Sequence, residues 1–550
     1  MKKILQITAL AILFTTQLFA QYDIENVKIT YGTELEDDKA KIVKLFGEAN
    51  GTIYALALKG KDNYFIKTFG STEMNLKTNN LIELPELKDR DIEFEEVALL
   101  DSKPYIIGSV YHRKDKVYTL VGFELGTDGK VKNEMITLFE SKVERNSGKG
   151  SFYYKVSPEE NSILIMHTAY FNKEDALKYE IKLFDSNLKE LFSNIDKVTY
   201  DDSKKDYQFM LSDFDVNVFG DVFIVINESY RDAKKKEKVE KFQVFSFING
   251  KNYTKEVIDI NFKDKEIINC KMLATNKNTL QLVGFYSSVR DNGKAERDLK
   301  GVYNATINLS TNSNDNLVFN EFDYETKVKL IGERRAKKGK DVKPLYNIHS
   351  IIEKNDGGLI VLSEYQMVIV GQKQGIGPLG IQPITYITNE IIVTSLKPNG
   401  TLDWSNVVAK DQAATITVAS LNIFAASGNA NFAVGLGLSI PIASMGKGPE
   451  YLSAIPIYKD GKLSVIFNDN KKNKGVTDIE KIKSLGNYNN AVPTLIRFDE
   501  NGNITRFDPE EVIKNELVIR PGVFYRKNVE ELLIYASRKK QDKLGRMFVN

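Results

Sequence analysis

Ile106-Ile107-Gly108-Ser109-Val110-Tyr111 returns, in altered form, as Ile165-Met166-His167-Thr168-Ala169-Tyr170, as Val225-Ile226-Asn227-Glu228-Ser229-Tyr230 and as Leu282-Val283-Gly284-Phe285-Tyr286. Val361-Leu362-Ser363-Glu364-Tyr365 is a fifth copy. Each is a short run of β-branched and aromatic residues, and a second such run follows each of them. Val117–Glu124, Leu177–Phe184, Glu240–Phe247, Gly301–Asn308 and Ile391–Lys397 are those second runs. Three weaker copies complete the set: Ile53–Leu58 with Tyr64–Phe69, Ser464–Asn468 with Pro493–Phe498, and Leu532–Ser537 with Gly545–Val549. A strand pair of this size cannot bury its own apolar faces, so the copies must pack on one another.

Turns set the size of the unit. After the second strand come Thr127-Asp128-Gly129-Lys130, Asn249-Gly250-Lys251, Pro398-Asn399-Gly400-Thr401 and Glu500-Asn501-Gly502-Asn503. Before the first strand come Asn355-Asp356-Gly357-Gly358 and Lys459-Asp460-Gly461-Lys462. Glycine supplies the positive φ that such turns need. Strand, turn, strand, longer loop, strand, turn, strand is a four-stranded propeller blade. The last copy stops after its third strand, while Tyr22–Tyr31 has strand character and no copy of its own. The expectation is an all-β chain, a β-propeller of eight blades closed by an N-terminal strand that removes an open sheet edge. Seven blades with accessory strands are the alternative. No stretch carries a sustained helical period.

Residues 1–20 read as a signal peptide: Lys2-Lys3, an apolar stretch from Ile4 to Phe14, and Leu18-Phe19-Ala20 before Gln21. The apolar stretch is too short for a membrane span, which needs about 20 residues. The expected product is an exported chain, periplasmic or secreted and peripheral to the outer membrane, with residues 21–550 forming one propeller and no transmembrane segment. Cys270 is the only cysteine, which excludes an intrachain disulfide. It sits in an apolar stretch and reads as a packed small hydrophobe. The formal charge of +2 provides no global field for nucleic acid.

One segment departs from the rest. From Gln366 to Glu450 the charge density falls to roughly a third of the chain's 27%, and Ala413–Gly446 carries no charge. Phe432, Val434, Leu436, Leu438 and Ile440 alternate with small residues, the pattern of a strand with one bulky face. Paired with Ile416–Phe424 it would make a hairpin inserted at about 411–450, either folded onto the propeller or free to meet a partner.

Candidate chemistry is sparse. Ser444-Met445-Gly446-Lys447 and Ser537-Arg538-Lys539-Lys540 match S-x-x-K, but neither opens a helix-like stretch. Triad and zinc chemistry need a histidine beside a matched partner. His112, His167 and His349 are the only histidines, and His167 lies inside an apolar strand. Asp213, Asp215 and Asn217 alternate along a strand and put three oxygen-bearing side chains on one face, a weak calcium candidate. No other cofactor is indicated. Asn468, Asp469 and Asn470 open a long loop in the seventh copy and are candidate calcium or sugar contacts. Arg334, Arg335, Lys337 and Lys338 form a basic run between copies five and six. Loops between blades share one end of a propeller with the loops between second and third strands. The basic run should therefore lie beside Asn468–Lys472 and the Gln366–Asn389 loop, where an envelope polysaccharide, lipid head group or protein would bind.

Ile391-Ile392-Val393-Thr394-Ser395-Leu396-Lys397-Pro398-Asn399-Gly400, with Trp404, and Phe467-Asn468-Asp469-Asn470 resemble secreted, uncharacterised propeller-like repeat proteins of gram-negative bacteria. The resemblance is best over the last third of the chain. It implies an exported β-propeller and transfers no catalytic residue. Two functions follow from the whole reading. The preferred one is an envelope binding or scaffold protein using the loop face of blades five to seven. The alternative is a carbohydrate-active enzyme, a glycosidase or lyase, with acids at the channel mouth, drawn from Asp213, Asp215, Glu228, Glu364 and Asp469. The tyrosines that end the first strands recur too regularly for sugar platforms and read as packing residues.

Overall fold

The structure is a computed structural model. It describes residues 21–550 apart from 61, 172, 175, 200–203, 233–237, 263–264, 276–277, 290–295, 373–381, 419–431, 435–447, 510–516 and 539–540. Alternating apolar runs pair with their neighbours along the chain into eight antiparallel sheets. They occupy residues 41–81, 93–142, 151–199, 204–260, 265–321, 346–418, 454–507 and 518–549, and are numbered as blades 1 to 8. Within a blade, chain order is spatial order, from the inner strand to the outer. The chain is an eight-bladed β-propeller. The eight-blade expectation holds, and the seven-blade alternative is set aside.

Blade 8 has three strands of its own, Val518–Arg526, Glu531–Arg538 and Gln541–Val549. Its outer strand is Val27–Tyr31, with Ile29 opposite Met547 and Val27 opposite Val549. Gln21–Ile24 then adds a fifth strand on the outside. Ile24, Val27, Ile29 and Tyr31 are all buried. They join Ile455, Ile457 and Ile466 of blade 7 in one cluster, so closure also completes a blade interface.

The core lies between blades. Each principal apolar cluster takes its residues from two or more neighbouring sheets, such as Leu164, Tyr179 and Leu183 of blade 3 with Tyr207, Phe214 and Ile224 of blade 4. The strand-ending tyrosines pack as expected: Tyr286 meets Phe319 edge-on at 4.9 Å and Tyr365 meets Tyr346 at 5.6 Å. Burial pushes the Cys270 thiol up to about 12, in keeping with a packed role.

The glycine turns tie blades together. The outer strand of one blade reaches the turn of the next with side-chain amides and hydroxyls. Thr78 and Asn80 donate to the Asp128 carbonyl. Asn320 donates to the Gly400 carbonyl, while Trp404 and Asn406 donate to the carbonyls of Glu500 and Gly502. Gly129, Gly400 and Gly502 all adopt φ of +76° to +79°. At Gly502 a Cβ would lie 2.4 Å from the Trp404 ring, so the position also excludes bulk.

Three features differ from expectation. A helix at Tyr324–Ile331 and a single helical turn at Glu333–Ala336 join blades 5 and 6. They are too short to leave a sustained period. Ile416–Val418 is not half of an inserted hairpin. It ends the outer strand of blade 6, Leu402–Val418, with Ile416 opposite Ile384. Phe432–Val434 pairs elsewhere, parallel to the inner strand of blade 4, with Phe432 opposite Phe209. The rest of the proposed hairpin lies outside the described residues, as do the signal segment and Ser444–Lys447. Among the described residues, no helix is long and apolar enough to cross a membrane.

Candidate binding surface at the loop end

Connections between blades, and between the second and third strands of a blade, emerge at one end of the ring. Hydrogen bonds link them there. The Gln366 N–H donates to the Leu345 carbonyl at 2.8 Å, joining the blade 6 loop to the connector from blade 5. Leu485, in the blade 7 loop, exchanges backbone bonds with Asp411 and Ala413. The basic run, the Gln366–Asn389 loop and the loop after Asn470 thus share one end.

The basic run is exposed. Asp323 caps the preceding helix, Tyr324–Ile331, by accepting from the Thr326 N–H at 2.6 Å. Lys327 bridges Glu321 and Asp341 at 3.0 Å each and holds the connector down. Beyond it, Lys337 pairs with Glu333 at 2.6 Å. Arg334, Arg335 and Lys338 make no ion pair among the described residues, and their side chains face water.

Asn468, Asp469 and Asn470 behave differently from expectation. The second strand of blade 7 runs on to Asn470, so these residues belong to the sheet and not to an open loop. Asn468 is buried and donates to the carbonyls of Tyr451 and Ile519. Asp469 is buried against Arg506 at 2.8 Å and also accepts from Asn473. Asn470 accepts from the Lys472 N–H and donates to the Ser484 carbonyl. They build the base of the loop.

Blade 6 carries the most distinctive part of this end. Its last three strands, Leu359–Val370, Gln382–Leu396 and Leu402–Val418, outrun the inner strand Tyr346–Glu353, whose pairing ends with Tyr346 opposite Tyr365. Beyond that point Gln366–Val370, Gln382–Asn389 and Gln412–Val418 continue as a three-stranded arm. No residue of those three segments is charged. Val368, Ile369 and Val370 are 42%, 46% and 45% exposed. Successive strand residues point to opposite faces, so the arm's edge strand is open on both faces.

Charge returns at the base of the arm. Glu364 and Lys410 form an ion pair at 3.0 Å with both side chains fully buried. Lys410 also donates to the Thr388 carbonyl and to the Gln412 Oε1. Burial pushes the Glu364 carboxyl up, but Lys410, His349 and the Gln366 amide outweigh it and leave it below its ordinary value. Burial likewise holds Lys410 and His349 below theirs. His349 sits at a bulge in the inner strand, with Nδ1 2.8 Å from the Ser350 hydroxyl. Lys410 escaped the sequence reading. The signal was available: Lys410 and Asp411 are the last charges before the uncharged run.

The remaining candidates are scattered. Asp213 is buried, accepts from the Met272 N–H and lies 3.7 Å from Lys271. Asp215 is pushed up to about 6 by burial, which Lys155 only partly opposes. The Asn217 side-chain oxygen accepts from Phe219 and Asp221 N–H groups in the turn after the strand. Among the described residues no group of three His, Cys, Asp or Glu is placed to hold a metal. Glu228 lies 3.8 Å from Lys241. The five carboxyls considered for catalysis fall on blades 4, 6 and 7. Ser537 is buried in a strand and accepts from Arg520 at 2.7 Å. His167 is buried, stacks on Phe152 at 4.5 Å and donates from Nε2 to the Lys149 carbonyl. At the opposite end, a cavity of about 500 Å³ lies between blades 6 and 7, lined by Asp356, Asp403, Trp404, Tyr458, Asp460 and Glu500.

No family model and no curated protein matches the chain. Solved structures with similar arrangements include the Dos1 propeller, at 8% identity over 94% of both chains with a TM-score of 0.38. The WD40 domain of SCAP from fission yeast has a TM-score of 0.33 at 8% identity, covering 96% of this chain and 98% of that one. The polysaccharide lyase Uly1 has 0.32 at 9%, covering 98% and 95%. Likenesses of this degree bear on neither activity nor ligand. The strand pairing itself is what makes this chain an eight-bladed β-propeller.

Proposed function

We infer that the protein is an exported binding or scaffold component of the cell envelope, and that the loop end of blades 5 to 7 is its working surface. One observation carries the reading. Exposed cations at Arg334, Arg335 and Lys338 share an end with an uncharged arm that is bare on both faces of its edge strand. Exposed charge of one sign attracts a partner of the other, and bare apolar surface adds attraction that salt does not screen. The catalytic alternative has less support. Asp469 is neutralised by Arg506 and Glu364 by Lys410, and Asp215, with its raised value, sits on blade 4.

Export is tested by N-terminal sequencing of protein taken from its native envelope, which should begin at Gln21; retention of Lys2 would refute it. The surface is tested by reversing Arg334, Arg335, Lys337 and Lys338 to Glu. Binding to isolated envelope at low salt should fall while the melting temperature stays within a degree or two of wild type. Equal binding by the two proteins would remove the loop end from consideration.

A further inference from the structure

We propose that the partner at the loop end is an anionic lipid bilayer, and that the blade 6 arm enters its interfacial layer while the basic helical turn pairs with lipid head groups. This rests on the reading of the loop end as the binding surface, and adds the identity of the partner.

The argument begins with what the arm lacks. A sheet edge in water is normally protected by charge, proline or cover. The edge strand here, Gln366-Met367-Val368-Ile369-Val370, has none of the first two, and no strand lies along its free side among the described residues. At about 3.3 Å per residue, these five residues carry the arm roughly 16 Å along the strand direction past the inner strand. That length suits the head-group and upper acyl region of a bilayer, where interfacial elements bury apolar side chains by about 5–10 Å. The side chains suit it as well. Val368, Ile369 and Val370 are exposed, as is Thr415, and the half-buried Thr385 and Tyr386 bring hydroxyl and aromatic groups without charge.

Charge complementarity selects the sign of the surface. Below the arm, Glu364 and Lys410 cancel each other in a buried pair, while Glu390 accepts from the Tyr346 hydroxyl and Asp411 from the Ser484 hydroxyl. The neighbouring connector, residues 322–345, carries eight basic side chains against four acidic ones, and Arg334, Arg335, Lys338 and Lys340 are exposed without an ion pair among the described residues, beside exposed Asp323 and Glu325. Apolar insertion and a few cations are together the two weak signals that a stable peripheral attachment needs. A soluble anionic polymer would satisfy the cations and leave the arm bare. A bilayer satisfies both.

The test uses the full mature chain and vesicle co-sedimentation. Probes are phosphatidylethanolamine vesicles with and without phosphatidylglycerol, and dextran sulfate as an anionic polymer without acyl chains. The variants are Val368→Ser/Ile369→Ser/Val370→Ser and the fourfold reversal of Arg334, Arg335, Lys337 and Lys338 to Glu. Wild type should bind the phosphatidylglycerol vesicles. The serine variant should bind them about tenfold more weakly or worse at every salt concentration. The reversed variant should lose about a hundredfold at low salt. Both substitutions lie on exposed side chains, and unchanged melting curves will establish that the ring is intact.

Dextran sulfate binding without vesicle binding would overturn the bilayer and leave the loop-end reading standing. Vesicle binding unaffected by the serine variant would also overturn it, because the arm would then take no part. Self-association of wild type that the serine variant abolishes, without vesicle binding, would assign the arm to a second copy. Binding of both probes undiminished by charge reversal would overturn the bilayer proposal and the loop-end reading together.

Discussion

Ile29→Ala tests ring closure at a single side chain. Ile29 is fully buried, sits opposite Met547 and packs with blade 7 residues as well as blade 8. Truncating a buried isoleucine removes its transfer free energy and leaves a cavity, at a cost of about 2–5 kcal/mol. The site is bounded by Ile455, Ile457, Ile534 and Met547, of which only methionine can reshape easily to fill a gap. The upper half of that range, about 3.5–5 kcal/mol, is therefore expected. Where the ring opens locally before it unfolds, this is a loss of roughly a hundredfold or more in amide protection, since each 1.4 kcal/mol is tenfold. Hydrogen exchange should show it in Leu532–Val549 and in the blade 7 strands, with blade 3 nearly unchanged. Deleting residues 21–31 should produce the same pattern more strongly. Ile195→Ala, at a side chain 56% exposed on an outer strand, is the control and should shift stability by about 0.5 kcal/mol or less. Unchanged protection in Leu532–Val549 after Ile29→Ala would refute the reasoning, as would loss spread evenly over all blades.

Lys410→Met should cost about 3–5 kcal/mol by stranding the Glu364 carboxylate, and adding Glu364→Leu should restore much of it, as read from urea melts. Burial lowers His167 to about 4, so its contribution is complete above pH 6.5 and is lost as pH falls from there through 4. That contribution is about 3 kcal/mol, and His167→Gln should flatten this part of the stability profile. Asp215 runs the other way: its value is raised to about 6, so its contribution is present below 3.8 and is lost as pH rises through 6. Asp215→Asn should gain relative to wild type at neutral pH, and an identical pH profile would count against a buried Asp215. Gly502→Ala should destabilise by about 1–3 kcal/mol, because φ is +79° and the new Cβ meets the Trp404 ring; a neutral result in a thermal melt would refute the clash.

The blades and their closure were legible because both write a period into the sequence. A strand pair repeats Val/Ile alternation and ends in tyrosine, and the orphan third strand at Gly545–Val549 requires a partner that Tyr22–Tyr31 matches. Direction was not legible. Asn468 and Asp469 are polar residues after an apolar strand, which reads as a loop, yet the strand continues through them and buries both. Pairing over distance was equally hidden. Glu364 and Lys410 are held together by three strands, and nothing local in either residue reveals the other. The uncharged segment was visible as composition, but its strand partner was not. Ile416 has a plausible mate at Ile440 by spacing, whereas the sheet of blade 6 offers Ile384 already in register. Two short helices between blades 5 and 6 fall below the length at which a 3.6-residue period becomes readable.

The strand that closes the ring leaves the ribosome early and is used last. Asn26 and Asn550, which hydrogen-bond across the seam, are separated by 524 positions. At about 5–20 residues per second, that is roughly half a minute to two minutes of synthesis before its partner exists. Through that interval Val27–Tyr31 is a lone apolar strand, and the Lys28 charge between Val27 and Ile29 is its protection against pairing with other nascent chains. Concentration then becomes a structural variable. Two molecules that finish together can each lend the first strand to the other's last blade, with the same register and the same buried side chains. Rapid expression should therefore favour exchanged dimers that dissociate only as fast as the seam opens.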